Sequence, residues 1–259
     1  MKTIDIRPWC VRIEEAAKYF TPLQDFMDAS GKIDLGNPDA LVAYNKGVLG
    51  VISGLQLDLP QGQLIPTICL RHAYLKVIQD YLPTKARLLE IGTGSSALMS
   101  MLAVKIYQMN VVATELSQTS IDSANHNISL NNLGNSIQLI KSNGEIIDGL
   151  IEKNDNFDVI ICYPPTYPDS DTKNFQNAKA KGFQGTISEM IGGGDDGFEF
   201  IRQYLKEAIT HNIAIITVLC IFEDHAIMAH QILSQHTSKT ETINLLAGTR
   251  NRFLVIGIK

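Results

Sequence analysis

The sequence has few cysteines, and their spacing gives them no shared role. The four cysteines (Cys10, Cys69, Cys162 and Cys220) lie far apart and form no C-x-x-C pair, so neither a disulfide framework nor a cysteine zinc site is expected. The six histidines form no H-E-x-x-H motif, and no metal is predicted. We interpret the cysteines as reduced, mostly buried thiols of a cytoplasmic protein.

Long apolar runs and an excess of basic charge are also missing. No uncharged apolar run reaches the length of a membrane span, and the first residues do not resemble a secretory leader, so no membrane partner is expected. The 22 basic and 27 acidic residues give a net charge of −5, which argues against a protein that coats nucleic acid through bulk charge. The chain does have 45% hydrophobic residues in a length of 259, which is enough for a sizeable core.

From about residue 85 onward, apolar runs alternate with helical patterns. The runs that are typical of strands lie at 87–91, 110–116, 136–141, 157–165, 212–220, 240–248 and 252–259. Helical patterns lie between most of them, and one short helix is predicted near 145–151. This alternation indicates a doubly wound α/β sheet with right-handed crossovers, and the short turn before the last run predicts one antiparallel strand at its end.

The first 84 residues have a different pattern and predict a helical extension packed against the sheet. We therefore divide the chain into this extension, 1–84, and a sheet domain, 85–259. One stretch, 168–197, has no clear pattern but contains three clustered lysines and a glycine triplet. A loop of this length inside a compact domain is usually functional or disordered.

A glycine-rich turn follows the first predicted strand of the sheet domain. Gly92, Thr93 and Gly94 lie between that strand and a helix, where glycines allow a ligand close to the backbone and the helix N-terminus favours anionic groups. Glu115, followed by Leu116, closes the next strand, where a carboxylate can accept both hydroxyls of a ribose. Together these features predict a site for an adenosine-containing cofactor. Asn143, after the third strand, is a candidate for adenine recognition, or simply a turn residue.

The fourth predicted strand ends in Tyr163-Pro164-Pro165-Thr166-Tyr167. Two prolines give a rigid extended backbone that has carbonyl acceptors but no N–H donors. Such acceptors can hold the hydrogens of an amino group and direct its lone pair towards a methyl donor, and a neighbouring aromatic ring can stack on a flat base. The alternative is a strand that prolines terminate, with Tyr167 packed in the core.

These motifs resemble those of class I methyltransferases that use S-adenosylmethionine (SAM), and more narrowly the family of ribosomal and small nuclear RNA adenine-N6 methyltransferases. The segments that carry the resemblance are 37–41, 57–60, 64–67, 90–94, 113–115, 185–200 and 247–250. The resemblance implies a Rossmann-like seven-stranded sheet with an antiparallel last strand in 85–259, SAM as cofactor and a structured RNA as substrate. The pattern Gly92-x-Gly94-x-x-Ala97 also fits a nicotinamide dinucleotide fold, which the terminal hairpin and the two prolines disfavour.

The resemblance also implies roles for individual residues. Residues that would hold SAM are Arg71, Gly92, Thr93, Gly94, Glu115, Leu116, Asn143 and Tyr163. Tyr163, Pro164, Pro165 and Tyr167 would frame the target amine. Thr166, Lys173, Lys179 and Lys181 would contact the RNA.

The proline motif departs from the family pattern at two positions. The family has an asparagine at the first position of the motif, where this chain has Tyr163. The family has an aromatic residue directly after the prolines, where this chain has Thr166, and the aromatic Tyr167 comes one position later. Two alternatives to RNA adenine methylation therefore stay open: methylation of a protein glutamine or a small-molecule amine, and a non-catalytic SAM- or RNA-binding module whose pocket Tyr163 blocks.

Overall fold

The computed structural model describes residues 1–180 and 184–259. Over these residues the chain forms one sheet of eight strands in the order β1-β7-β8-β6-β5-β2-β3-β4. The strands are β1 Lys2–Asp5, β2 Arg87–Ile91, β3 Asn110–Glu115, β4 Ile137–Lys141, β5 Phe157–Cys162, β6 Ile213–Cys220, β7 Lys239–Ala247 and β8 Arg250–Ile258. All neighbouring strands pair in parallel except β8, which is antiparallel to both β6 and β7. The predicted antiparallel last strand is confirmed.

Helices cover both faces of this sheet. They are α1 Ile13–Tyr19, α2 Pro38–Ser53, α3 Ile68–Gln79, α4 Leu98–Tyr107, α5 Gln118–Leu130, α6 Thr172–Ala180, α7 Glu199–Thr210 and α8 Glu223–Ser234. The helix α2 begins where the Asn37 side chain accepts hydrogen bonds from the amides of Asp39 and Ala40, and Pro38 occupies its first turn. Both features are common at helix N-termini.

Three details differ from the sequence predictions. The extension is not wholly helical, because Lys2–Asp5 adds an eighth strand by pairing with β7. The predicted helix near 145–151 does not form: Gly149 has a φ of +89°, and the amides of Ile147 and Asp148 donate to the Glu207 carboxylate at 2.8 and 2.9 Å instead of to helical carbonyls. The stretch 168–197 contains the helix α6, whose polar sequence gave no periodic pattern.

The division at residue 84 stays a prediction. Strand β1 and helices α1 to α3 lie before it, yet their apolar side chains share one core cluster with β2, α4 and β8. A second cluster lies on the other face of the sheet, under α7 and α8. Side chains alternate between the two faces of a sheet along each strand, so membership of one cluster or the other shows which face a residue is on. We call the face of the sheet that α3 and α4 cover the α3 face.

Candidate active site

A cavity of about 340 Å³ opens at the carboxyl ends of β2, β3 and β5. This edge is where parallel α/β sheets bind ligands, and the volume is in the range of small-molecule sites, roughly 300–1,000 Å³. The cavity brings together the glycine turn after β2, the acid at the end of β3 and the prolines after β5. A second hollow, about 650 Å³, lies between α8 and β7 and contains none of the predicted site residues.

The glycine turn leaves open space on its cavity side. Gly92 and Gly94 have φ angles of +71° and +68°, a backbone region that glycine adopts without steric cost. An ideal Cβ added to either residue would meet no heavy atom within 4 Å. The backbone here therefore fits a ligand that approaches it closely. The turn is held in place from β3, since the amides of Gly92 and Thr93 donate to the Thr114 carbonyl at 3.1 and 3.0 Å.

Glu115 closes the β3 side of the cavity. Its Oε2 accepts the amide of Gly94 at 2.9 Å and its Oε1 accepts the amide of Ser117 at 2.8 Å. Each carboxylate oxygen has a second lone pair, so both can still accept a hydroxyl. The fixed carboxylate beside the glycine turn suits the ribose of an adenosine-containing cofactor.

Three polar side chains lie on the α3 face at this edge of the sheet, one from β2, one from the residue that follows β5 and one from β8, with β6 between β5 and β8. Glu90 alternates with Leu89 and Ile91, which belong to the other face, and the same alternation puts Tyr163 and Arg252 on the α3 face. The Glu90 carboxylate is buried and accepts hydrogen bonds from the hydroxyls of Thr93 and Ser100. Burial raises the pKa of Glu90, although these hydroxyls oppose the shift.

Arg71 reaches the cavity from α3. One turn further along this helix, Tyr74 is fully buried, and its hydroxyl bonds the Thr217 hydroxyl at 2.7 Å and accepts the Cys162 amide at 3.4 Å. These bonds fix α3 over the end of β5. The Arg71 guanidinium lies over the Tyr163 ring, 5.1 Å from its centroid. Burial lowers the pKa of Arg71, but an arginine stays charged in proteins.

Tyr163, Pro164 and Pro165 line the cavity opposite the glycine turn. The Tyr163 hydroxyl accepts a hydrogen bond from Nε of Arg252 at 3.2 Å. The loop that contains the glycine triplet packs behind the prolines. A Cβ on Gly192 would lie 2.6 Å from the Pro165 carbonyl oxygen, and one on Gly197 would lie 2.2 Å from the Thr166 carbonyl oxygen. This loop therefore covers the carbonyls of Pro165 and Thr166.

Several predicted residues lie elsewhere. Asn143 is exposed and outside the lining, whereas Ser142, Gly144 and Glu145 line the cavity beside it. Thr166 is 1% exposed and also outside the lining. Tyr167 packs edge-on against Phe175 and Phe222, with ring centroids 4.9 and 5.5 Å away. Leu116 does line the cavity.

Of the three lysines predicted to contact RNA, Lys173 is the one whose side chain can be placed, and it does not line the cavity. Lys173 is exposed on α6. Lys179 belongs to the same helix, and Lys181 lies outside the described residues. All three remain predictions.

Sequence reasoning missed residues that reach the site from distant parts of the chain, either by lining the cavity or, like Arg252, by bonding a residue that lines it. Ser188 and Glu189 line it from the segment after α6, although both lie in a block that resembles the family. Arg252 was missed because the sequence of β8 does not show that an arginine side chain on it reaches Tyr163 at the end of β5. Of the described residues, no helix is long and apolar enough to cross a membrane, and none of their His, Cys, Asp and Glu side chains form a group of three or more that could hold a metal ion.

The sheet order, the antiparallel β8 and the edge cavity define a class I methyltransferase fold. The sequence matches a family model described as RNA methyltransferase over residues 23–208, and the chain belongs to this family. This membership confirms the predicted enzyme class, SAM as methyl donor and RNA as the class of substrate.

Named relatives cover the chain to different extents. A candidate methyltransferase of Methanocaldococcus jannaschii is 33% identical over 96% of this chain and 98% of its own. A ribosomal RNA large subunit methyltransferase F of Cronobacter sakazakii is 28% identical over 78% of this chain and 74% of its own. A U6 small nuclear RNA (adenine-(43)-N(6))-methyltransferase of Schizosaccharomyces pombe is 31% identical over 65% of this chain. That match spans 47% of the yeast protein.

Solved structures share the fold. The catalytic domain of human METTL16 in complex with an RNA hairpin from the MAT2A 3′UTR superposes with a TM-score of 0.82 at 21% identity, covering 95% of this chain and 90% of that one. A methyltransferase from Pyrococcus furiosus superposes with a TM-score of 0.69 at 27% identity, covering 86% and 98%. The predicted doubly wound α/β fold is confirmed.

Proposed function

We propose that this protein transfers the methyl group of SAM to the N6 amino group of an adenine in a structured RNA. The observation that carries this proposal is the single cavity in which the glycine turn, Glu115 and the Tyr163-Pro164-Pro165 motif meet. The relatives named for adenine-N6 and ribosomal RNA methylation support the choice of base and substrate. The structure of human METTL16 with S-adenosylhomocysteine (SAH) supports the cofactor.

We assign the ribose of SAM to Glu115, its adenosine to the space above Gly92 and Gly94, and its carboxylate to Arg71. The guanidinium of Arg71 can take up a carboxylate, because its one hydrogen bond among the described residues is long, 3.5 Å to the Thr67 carbonyl. When bound, SAM supplies an electrophilic methyl group on a sulfonium. The protein then has to align the amine with that group and exclude water.

We assign the hydrogens of the target amine to the Pro164 carbonyl. The carbonyls of Pro165 and Thr166 are packed against Gly192 and Gly197, whereas Pro164 lines the cavity and has no N–H of its own. An acceptor on the amine's hydrogens localises the lone pair of its nitrogen, which adenine otherwise delocalises into the ring. Tyr163 stands where the resembling family has asparagine, so the backbone carbonyl takes the larger share of this task here.

The direct test is methyl incorporation into RNA from a strain that lacks the gene. The purified protein is incubated with that RNA and tritiated SAM, and the digested nucleosides are separated. Label that co-elutes with N6-methyladenosine supports the proposal, and the Glu115→Ala variant is the matched control that should lose it. Label only in protein, or in another nucleoside, contradicts it. A cytoplasmic location is part of the same proposal, since the bacterial relative is named for ribosomal RNA.

Tyr163→Asn distinguishes an active enzyme from a blocked module. If the natural protein with its tyrosine is active, methyl transfer is measurable before the substitution, and Tyr163→Asn is not needed to produce it. A variant that gains methyl transfer where the natural protein shows none would mean that Tyr163 fills the place of the base.

A further inference from the structure

We propose that Tyr163 and Arg252 are positioning residues that hold Arg71 in place for the carboxylate of the cofactor. This inference rests on the proposed SAM site. It assigns a role to a tyrosine that replaces the family asparagine and to an arginine on the last strand.

The first link is between Tyr163 and Arg71. The guanidinium carbon of Arg71 lies 5.1 Å from the Tyr163 ring centroid, within the distance at which a cation is attracted to an aromatic face. The Arg71 side chain has few other restraints, since the single hydrogen bond of its guanidinium among the described residues is the long one to the Thr67 carbonyl. Without the ring, its long side chain would lose its main contact at the cavity wall and would have to be ordered when the ligand binds.

The second link is between Tyr163 and Arg252. Nε of Arg252 donates to the Tyr163 hydroxyl at 3.2 Å, and its Nη1 donates to the Asn251 carbonyl at 2.7 Å. The arginine is thus attached to the backbone of β8, a strand bonded on both sides within the sheet. A phenol that is bound at its oxygen cannot rotate freely into the cavity. The tyrosine ring is therefore fixed at both ends, by its own backbone directly after β5 and by β8.

Charge is consistent with this arrangement. Two arginines approach one aromatic ring, Arg71 over the face and Arg252 at the hydroxyl. The negative potential of Glu90 and Glu189 reaches Arg71 and partly offsets the effect of burial on its pKa. Neither Glu90 nor Glu189 forms a close ion pair with Arg71 among the described residues, and the carboxylate of the ligand would supply one. The Tyr163 ring holds the guanidinium of Arg71 where that carboxylate would bind.

The test compares two ligands that differ in the carboxylate. SAH has an amino acid tail, whereas 5′-methylthioadenosine has the same adenosine and sulfur without it. Both are titrated calorimetrically into the natural protein and its variants. Because Arg71 would serve only the tail, the ratio of the two dissociation constants reports its positioning, and general damage to the fold would weaken both ligands together.

Arg71→Met should weaken SAH binding by about tenfold, the effect of losing one charge-assisted hydrogen bond. Tyr163→Leu, which removes the ring, should weaken it about fivefold, in the range of a cation–π contact. Tyr163→Phe and Arg252→Met should each weaken it about twofold, and the double variant should be no worse than either, because both remove the same bond. Binding of 5′-methylthioadenosine should change by less than about twofold throughout.

Arg250→Met is the matched control, since Arg250 is an exposed arginine on the same strand, and it should bind both ligands normally. Equal losses for the two ligands, or unchanged SAH binding in Tyr163→Leu, would overturn the positioning role. Failure of the natural protein to bind SAH would instead overturn the proposed cofactor site, and the positioning role with it.

Discussion

The cavity has two halves, the proposed cofactor half around the glycine turn and Glu115, and the proposed acceptor half around the proline motif. The two halves differ in how far apart along the chain their residues lie. In the cofactor half, Glu115 bonds the amide of Gly94, a residue 21 positions earlier. On the side of the proline motif, Tyr163 bonds Arg252, 89 positions later. Its ring also packs under Arg71, which comes from α3, a helix that precedes β2. A site within one strand-turn-helix-strand unit is specified by local spacing. A site assembled from distant elements exists only once the sheet has formed.

This contrast predicts the largest effect for Glu115→Ala. The change removes the proposed acceptor of the two ribose hydroxyls and also frees the amide of Gly94. Two hydrogen bonds to a charged group are together worth about 3 kcal/mol, so SAH should bind about 100-fold more weakly. Glu115→Gln, which keeps one acceptor oxygen, should lose about tenfold. Calorimetry measures both, and an unchanged affinity in the alanine variant would refute the assigned role of Glu115.

Gly192→Ala should impair methyl transfer while leaving cofactor binding nearly unchanged. Its Cβ would lie 2.3 Å from the Gly197 carbonyl oxygen and 2.6 Å from that of Pro165, so the loop and the proline backbone must move apart. A shift of this kind in the groups that align the amine should lower methyl transfer by roughly 10- to 100-fold. SAH binding should stay within about threefold, because the glycine turn and Glu115 are untouched.

The control for this variant is Gly134→Ala, where the new Cβ would meet no heavy atom within 4 Å and activity should be normal. Thermal unfolding of both variants checks that each is folded. A parallel fall in transfer and in SAH binding for Gly192→Ala would show that the halves form a single unit, contrary to the contrast drawn above.

The sequence predicted the parts whose determinants are local. The strand over 87–91, the glycine turn and Glu115 lie where they were expected, because turn glycines and a strand-closing acid have a fixed relation within one βαβ unit. The final hairpin was predictable for the same reason. The family resemblance added Arg71, which composition and periodicity did not indicate.

The remainder depended on long-range pairing. Lys2–Asp5 is too short to be recognised as a strand until β7 offers it an edge. The segment 145–151 was misread because the carboxylate that satisfies its amides, Glu207, is 60 residues away from Ile147. Thr166 was assigned to the substrate by its place in the motif, but the glycine loop behind the prolines buries it.

Glu90→Gln tests how ionisation of Glu90, which lies between the two halves, affects stability. Glu90 is on β2 but faces Arg71, and burial holds its pKa above its ordinary value of 4.5. As the pH rises above that value, the unfolded chain loses the proton before the folded chain does, so the natural protein loses stability. The loss ends once the pH passes the raised pKa of the folded state.

The glutamine variant has no such proton and can still accept from Thr93 and Ser100. Its free energy of unfolding, relative to that of the natural protein, should therefore grow as the pH rises from about 4.5. Urea denaturation at a series of pH values measures this difference. A difference that shrinks with rising pH would mean that the folded state stabilises the ionised carboxylate, and that the hydrogen bonds from Ser100 and Thr93 together with Arg71 outweigh burial at this site.

Asn143→Ala should have the smallest effect, less than about twofold on SAH binding. The Asn143 side chain is exposed and outside the cavity lining. The hydrogen bond from this residue to the Glu145 carboxylate, at 2.7 Å, comes from its backbone amide, which alanine keeps. Glu145→Ala is the informative partner, because that side chain does line the cavity. If Asn143→Ala instead weakened SAH binding tenfold, the loop after β4 would have to turn inward when the ligand arrives. The cofactor half would then also depend on a rearrangement, and the contrast with the acceptor half would be one of degree.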